Sequence, residues 1–250
     1  MLQIKNLTLT HKKDLREILS DFSCVFNNGD KAVIIGEEGN GKSTLLKWLY
    51  DPLMVEEYCE AEGERLISGE VLGYLAQELP KEDQQKSVYE FFSEQESFWN
   101  QTPKELNQTA AKFNIAPDFF YREQQMSTLS GGEKVKAQLM RILFAEPTVL
   151  LLDEPSNDID IETLETLEEL ILSHDETLIE RTANKIIHIE QIRRKTKSRF
   201  CIANTSYTEY LKNRSSQMEN QARQAADERR QKQIRDEKFQ RIYQSVEHTQ

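Results

Sequence analysis

Residues Gly36 to Ser43 read Gly-Glu-Glu-Gly-Asn-Gly-Lys-Ser, with a short apolar run from Lys31 to Ile35 before them and a helix-like run from Ser43 to Tyr50 after. Strand, glycine loop and helix in that order leave few folds open. Glycines let backbone N–H groups curl around phosphate oxygens, and the helix N-terminus adds a favourable dipole. Lys42 is expected to reach the β- and γ-phosphates of a nucleotide, and Ser43 to bind magnesium. Gly36, Glu37, Glu38, Gly39, Asn40, Gly41 and Thr44 complete the candidate phosphate site.

A second run constrains the same chemistry. Thr148 to Leu152 is continuously apolar, as in a strand of a buried parallel sheet, and it ends in Asp153-Glu154-Pro155. An aspartate at the end of such a strand can hold the magnesium shell. Glu154 is placed to polarise an attacking water as a general base. An acidic strand-end turn is the alternative for this pair taken by itself.

The rest of the chain reads as α/β with additions. Gln3 to Thr10 alternate apolar and polar residues, and Ile18 to Phe26 do so more loosely. Asn27-Asn28-Gly29-Asp30 is a turn signal. Residues 51–70 are acidic and read as irregular, and Val71 to Ala76 form a strand ending at Gln77. Val88, Phe91, Phe92, Leu106, Ala110, Phe113, Phe119 and Phe120 recur at helical spacing. They predict a small helical subdomain over about 78–128, with these aromatics in its core. Helices are expected over Glu133 to Phe144 and Ile161 to Leu170. From Ser206 to Gln250 there is no glycine or proline. Thinly spaced apolar residues there predict one helix of about 65 Å. Its apolar stripe is too thin to fold without a partner helix.

Composition narrows the class. The 250 residues include 30% charged side chains and carry a net charge of -11. Mean hydropathy is -0.68. No run approaches the roughly 18 apolar residues of a membrane helix, and the N-terminus lacks a signal-peptide stretch. A soluble, cytoplasmic protein is expected. Cys24, Cys59 and Cys201 have no metal-ligand spacing and read as free, buried, reduced thiols. The acidic balance argues against general nucleic-acid binding. Gln191 to Arg199 nevertheless hold basic side chains and no acidic ones. That segment is either an RNA-facing end or an ordinary solvated face.

Leu129-Ser130-Gly131-Gly132-Glu133, together with the glycine loop and Asp153-Glu154, resembles the ABC ATPase superfamily over residues 1–190. The resemblance implies ATP and Mg2+ as ligands. It also implies that two modules share each nucleotide: one supplies the loop, the other caps the γ-phosphate with its own Ser130, Gly131 and Gly132. On the same resemblance Gln77 is the Q-loop residue that touches magnesium and water. Ser156 to Asp160 form the D-loop, and His174 is the switch histidine. His11 lies near the family's adenine-stacking position.

Asp153 to Glu162, Asp-Glu-Pro-Ser-Asn-Asp-Ile-Asp-Ile-Glu, resembles the ABC-F pattern and departs from it at Ser156, Asp158 and Ile159. Ser206 to Arg214 resembles the Tyr-x-x-Tyr-Leu opening of the ABC-F interdomain linker. The wording around Ser156 and His174 is most similar to the ribosome-protecting resistance group. ABC-F membership implies two modules, no membrane segment, and action on ribosomal RNA through the linker. The expected organisation is an ABC ATP-binding domain over 1–205, with a mixed sheet core and the helical subdomain, followed by a truncated linker helix over 206–250. The second module would come from the full-length chain or from dimerisation. One departure stands out. Glu162 to Leu172 run almost directly into Ser173, with no room for the loop and buried strand the family places before His174. Either a strand is deleted, or the sequence as written skips residues. Two other classes stay open: the ATPase subunit of an ABC transporter, and a binding module that uses ATP without hydrolysing it.

Overall fold

The computed structural model describes residues 1–153, 183–192 and 197–216. The expectations for Glu154, Ser156 to Asp160, the helix from Ile161 to Leu170, His174, the short run before Ser173, and the linker beyond 216 lie outside the described residues.

Strand β1 (Leu2–His11) pairs antiparallel with β2 (Glu17–Phe26). Strand β3 (Ala32–Ile35) leads into the glycine loop and α1 (Lys42–Tyr50), and one turn of helix, α2 (Leu53–Glu56), follows. Strand β4 (Cys59–Ile67) returns to pair with the other side of β1. Strand β5 (Leu72–Leu75) is followed by short helices α3 (Lys81–Gln84), α4 (Val88–Ser93), α5 (Glu96–Trp99) and α6 (Pro103–Lys112). Two 3-10 turns then lead to α7 (Gly131–Phe144) and β6 (Val149–Leu152). Strands β7 (Lys185–Ile192) and β8 (Lys197–Ala203) form an antiparallel pair, and helical backbone covers 207–216.

Three ladders result: β2-β1-β4, β3-β7-β8 and β5-β6. The β3–β7 and β5–β6 pairings are parallel. Among the described residues no strand pairs β3 with β6.

The alternation read in β1 is real but changes phase. Leu2 and Ile4 are buried, then Leu7 and Leu9. Asn6 sits at φ 48 between them, and the register with both neighbours shifts there. On β4, Gly63 takes φ 136, and a Cβ there would come within 2.7 Å of Leu7 Cα. A paired irregularity of this kind re-aims a strand and sharpens its twist.

The strand β4 corrects the reading of 51–70 as irregular. Glu60, Ala61, Glu62, Gly63 and Glu64 are all exposed. A strand wet on both faces leaves no alternation to detect, and its charges suit an edge. Strands β7 and β8 were not anticipated either. The basic residues of Gln191 to Arg199 fall on and between them. Cys24 and Cys59 are buried as expected, but Cys201 is exposed, because it faces outward from β8.

Two main cores form. One packs the β1–β2 sheet against Leu45, Trp48 and Leu49 of α1 and against Leu151, Ile187 and Ile189. The other joins α4 to α7 around Phe92, whose ring lies 5.0 Å from Phe120 and 6.0 Å from Phe144 between centroids. All eight apolar residues picked out at helical spacing between Val88 and Phe120 are buried. Local signals start these helices: Ser87 with Glu90, Thr102 with Glu105 and Ser130 with Glu133 each make a capping box. Gly73 lets α7 close on β5, since a Cβ there would meet Ile142 Cγ2 at 2.4 Å. Among the described residues no helix is long and apolar enough to cross a membrane.

Replacing Phe92 by alanine removes the ring on which this helical core converges. We expect a loss of about 3–5 kcal/mol in denaturant-induced unfolding. The β-sheet core, which Phe92 does not touch, should change little.

Candidate functional site

The glycine loop starts where the β3–β7 ladder ends. Ile35 pairs with His188, and Gly36 follows against the main chain of Ile189. A Cβ at position 36 would lie 2.5 Å from the Ile189 carbonyl oxygen, so only glycine fits. Two further glycines, Gly39 at φ 78 and Gly41 at φ 86, take left-handed conformations that let the loop wind into α1. Gly41 caps the helix with no side-chain bond, and no acidic residue stands in the first turn. The first-turn N–H groups and the positive end of the helix dipole therefore face the loop with no acidic side chain of the helix itself to offset them.

An open cleft of about 710 Å3 lies in front of this turn. Glu38, Gly39, Gly41, Lys42, Ser43 and Thr44 form its floor. His11, Arg16, Ile18, Tyr58 and Gln77 form the rest. Another open cleft, about 780 Å3, lies against β4 and α2, but it has no glycine loop or helix N-terminus and mixes Glu56, Glu60 and Glu62 with Lys12 and Arg65. Anion-binding geometry belongs to the first.

Lys42 folds back over the loop: its Nζ donates to the Gly36 carbonyl at 2.8 Å and to the Glu37 carbonyl at 3.2 Å. Ser43 Oγ donates to Asp153 Oδ1 at 2.8 Å, and Tyr74 OH donates to Asp153 Oδ2 at 3.2 Å. Burial, and then the Asp153 charge, push the Tyr74 hydroxyl far above its usual range, so it remains a donor. Tyr74 is further held by stacking on Tyr50, 5.3 Å between centroids. Ser43 and Asp153 thus converge hard oxygen donors at the head of α1, with Asp153 only 3% exposed. That donor set fits a magnesium ion carrying waters and phosphate oxygens.

Asn40 departs from the expected pattern. Its side chain is buried away from the cleft, and its Nδ2 donates to the Ile189 carbonyl at 3.1 Å. Only its backbone is available to a phosphate. Ser130, Gly131 and Gly132 are not brought to this cleft. Ser130 is exposed at the N-terminus of α7, where its Oγ and the Glu133 carboxylate cap the helix at 2.7 Å. That hydrogen bond, with the Ser130 N–H, holds Glu133 below the usual carboxylate range. His11 does reach the cleft wall, with its Nδ1 2.8 Å from Asp14 Oδ1. Sequence reasoning missed Tyr74, Tyr58, Arg16 and Ile18. Tyr74 alone left a signal, since it lies on the same apolar strand as the approach to Gln77.

The family model for ABC transporter domains matches residues 19–157, more than half of the chain. This chain belongs to the ABC ATPase family. It is 34% identical over 172 residues to the ATP-binding protein Uup of Escherichia coli (strain K12), covering 66% of this chain and 25% of that protein. It is 30% identical over 198 residues to the energy-dependent translational throttle protein EttA of Haemophilus influenzae, covering 75% of this chain and 34% of that protein. The fold matches the ATP-binding subunit of an ABC transporter with a TM-score of 0.58 at 18% identity, over 75% of this chain and 85% of that one. The module spans between 25% and 34% of the length of the two curated relatives.

Gly41→Ala would set a Cβ 2.1 Å from Ile18 Cγ2 at a positive φ. Binding of a fluorescent ATP analogue should be lost. Adding Ile18→Ala should recover part of it, leaving a deficit of about 1–2 kcal/mol for the left-handed backbone.

Proposed function

We propose that this chain is the ATP-hydrolysing module of a two-module ABC-F protein that acts on the ribosome. The observation that carries the reading is the separation of two halves of a nucleotide site. The glycine loop lines one cleft, while Ser130-Gly131-Gly132 at the start of α7, with Ser130 and Gly131 exposed, lies outside it. Each half then needs its counterpart from a second module.

In this reading the first-turn N–H groups of α1 and Lys42 bind the triphosphate of ATP. Opening the two Lys42 contacts to Gly36 and Glu37 frees its ammonium for the β- and γ-oxygens. Ser43 and Asp153 would hold Mg2+, whose charge offsets that of the phosphates. Glu154 takes a proton from water as the water oxygen bonds to the γ-phosphorus. The bond from that phosphorus to the bridging oxygen breaks, and ADP carries the electron pair away. Gln77 and His174 orient the water and the γ-phosphate, and the second module's Ser130-Gly131-Gly132 equivalent closes over it. Closure drives the linker that begins near Ser206 against ribosomal RNA, and hydrolysis withdraws it. The relative EttA is named a translational throttle, which supports a place in translation. Protection of the ribosome from antibiotics is a narrower form of the same reading, and rests on the wording around Ser156 and His174.

Glu154→Gln in the full-length protein tests it. Hydrolysis should fall by about 100-fold or more, while ATP binding persists and the protein accumulates on ribosomes in sucrose gradients. Failure to accumulate despite bound ATP would overturn the ribosomal reading. Full turnover by the 250-residue chain as a strict monomer would overturn the two-module site.

A further inference from the structure

Three consecutive residues of β7 touch the two ends of the machinery at once. The carbonyl of Ile189 receives Asn40 Nδ2 at 3.1 Å and bounds Gly36, as the seat of the glycine loop. Its two neighbours point to the opposite face of the sheet, as strand geometry requires. There His188 Nδ1 and Tyr210 OH share a hydrogen bond of 2.6 Å. The Glu190 carboxylate accepts from the Arg214 guanidinium, and lies 3.7 Å from His188 Nε2. Tyr210 and Arg214 sit one turn apart on the 207–216 helix, which opens the linker-like segment.

The helix is seated by packing as well. Tyr210 is 7% exposed and belongs to a small core with Ala183 and Ile186. Val33 and Ile35 of β3 pack against the same core, with Tyr207. The strand that feeds the glycine loop therefore packs against the same small core as the helix, and β7 touches the helix through two polar side chains, His188 and Glu190.

We propose that β7 couples the glycine loop to the linker helix, with His188 and Glu190 as positioning residues that make the seating of Tyr210 and Arg214 depend on the nucleotide. The coupling rests on the reading of the loop as an ATP site. It predicts reciprocity: if ATP alters the hold on the helix, weakening that hold must alter ATP affinity by the same factor. Ordered phosphate contacts at Gly36 to Lys42 would press the loop against Ile189. A shift of that carbonyl moves its neighbours on the other face, because main-chain pairing with β3 and β8 keeps β7 stiff.

The test is amide hydrogen exchange on the full-length protein bearing Glu154→Gln, with and without ATP. Exchange over 207–216 should change by about fivefold on ATP addition, the low end of ordinary coupling. Adding Tyr210→Phe with Glu190→Gln should abolish that change and shift ATP affinity by the same factor. Glu190→Gln alone, which leaves the buried Tyr210 ring in place, should do both in part with an unchanged melting temperature. Bound ATP with unaltered exchange over 207–216 would overturn the coupling. So would a full exchange response in the variants, since module closure alone would then explain it. If exchange responds as expected while the protein fails to collect on ribosomes, the coupling stands and the ribosomal reading falls. If ATP does not bind, both fall.

Discussion

The Ile189 carbonyl oxygen occupies the space a side chain would need at position 36, and the loop folds around that contact. Parallel pairing of β3 with β7 brings Ile35 level with His188, so the ladder ends one residue before the loop must turn. Asn40 ties the far side of the loop to the same carbonyl. With both flanks anchored, Gly39 and Gly41 can take left-handed angles without the loop collapsing, and α1 begins with its N–H groups bare. The Ser43 hydroxyl then meets Asp153 at the end of a different ladder. Three elements distant in sequence converge on one anion-binding turn.

The helical core plays a separate part. Phe92 and its aromatic neighbours hold α7 in place, and α7 carries Ser130 at its exposed N-terminus. The Ser130 hydroxyl is used in a capping box with Glu133. This helix end is therefore pre-organised, with the serine and the glutamate fixed on one another.

The glycine loop, the strand and helix that flank it and the helical core were legible because each rests on local signals. Glycine spacing, period-two and helical periodicity, and Ser-x-x-Glu caps act over a few residues. β4 was illegible because an edge strand exposed on both faces carries no alternation. β7 and β8 were passed over because their register depends on pairing with β3 and on packing against β2, as in the edge-on contact of Phe22 and Phe200. Cys201 was misjudged for the same reason: its side of the strand is set by that register.

From the sequence by itself came the kind of chemistry: a glycine loop for phosphate, Ser43 and Asp153 for a hard cation, and a Ser-Gly-Gly turn at a helix start. These are short-range patterns whose meaning survives without coordinates. Only the tertiary structure decided which groups meet. It paired Ser43 with Asp153 and Tyr74, turned Asn40 inward onto Ile189, left Ser130 outside the loop's cleft, and set Tyr210 and Arg214 on the back of β7. Residues separated by more than a hundred positions, as Ser43 and Asp153 are, become neighbours through sheet order and core packing. No local periodicity encodes that order, because it is settled by which apolar faces can be buried against one another.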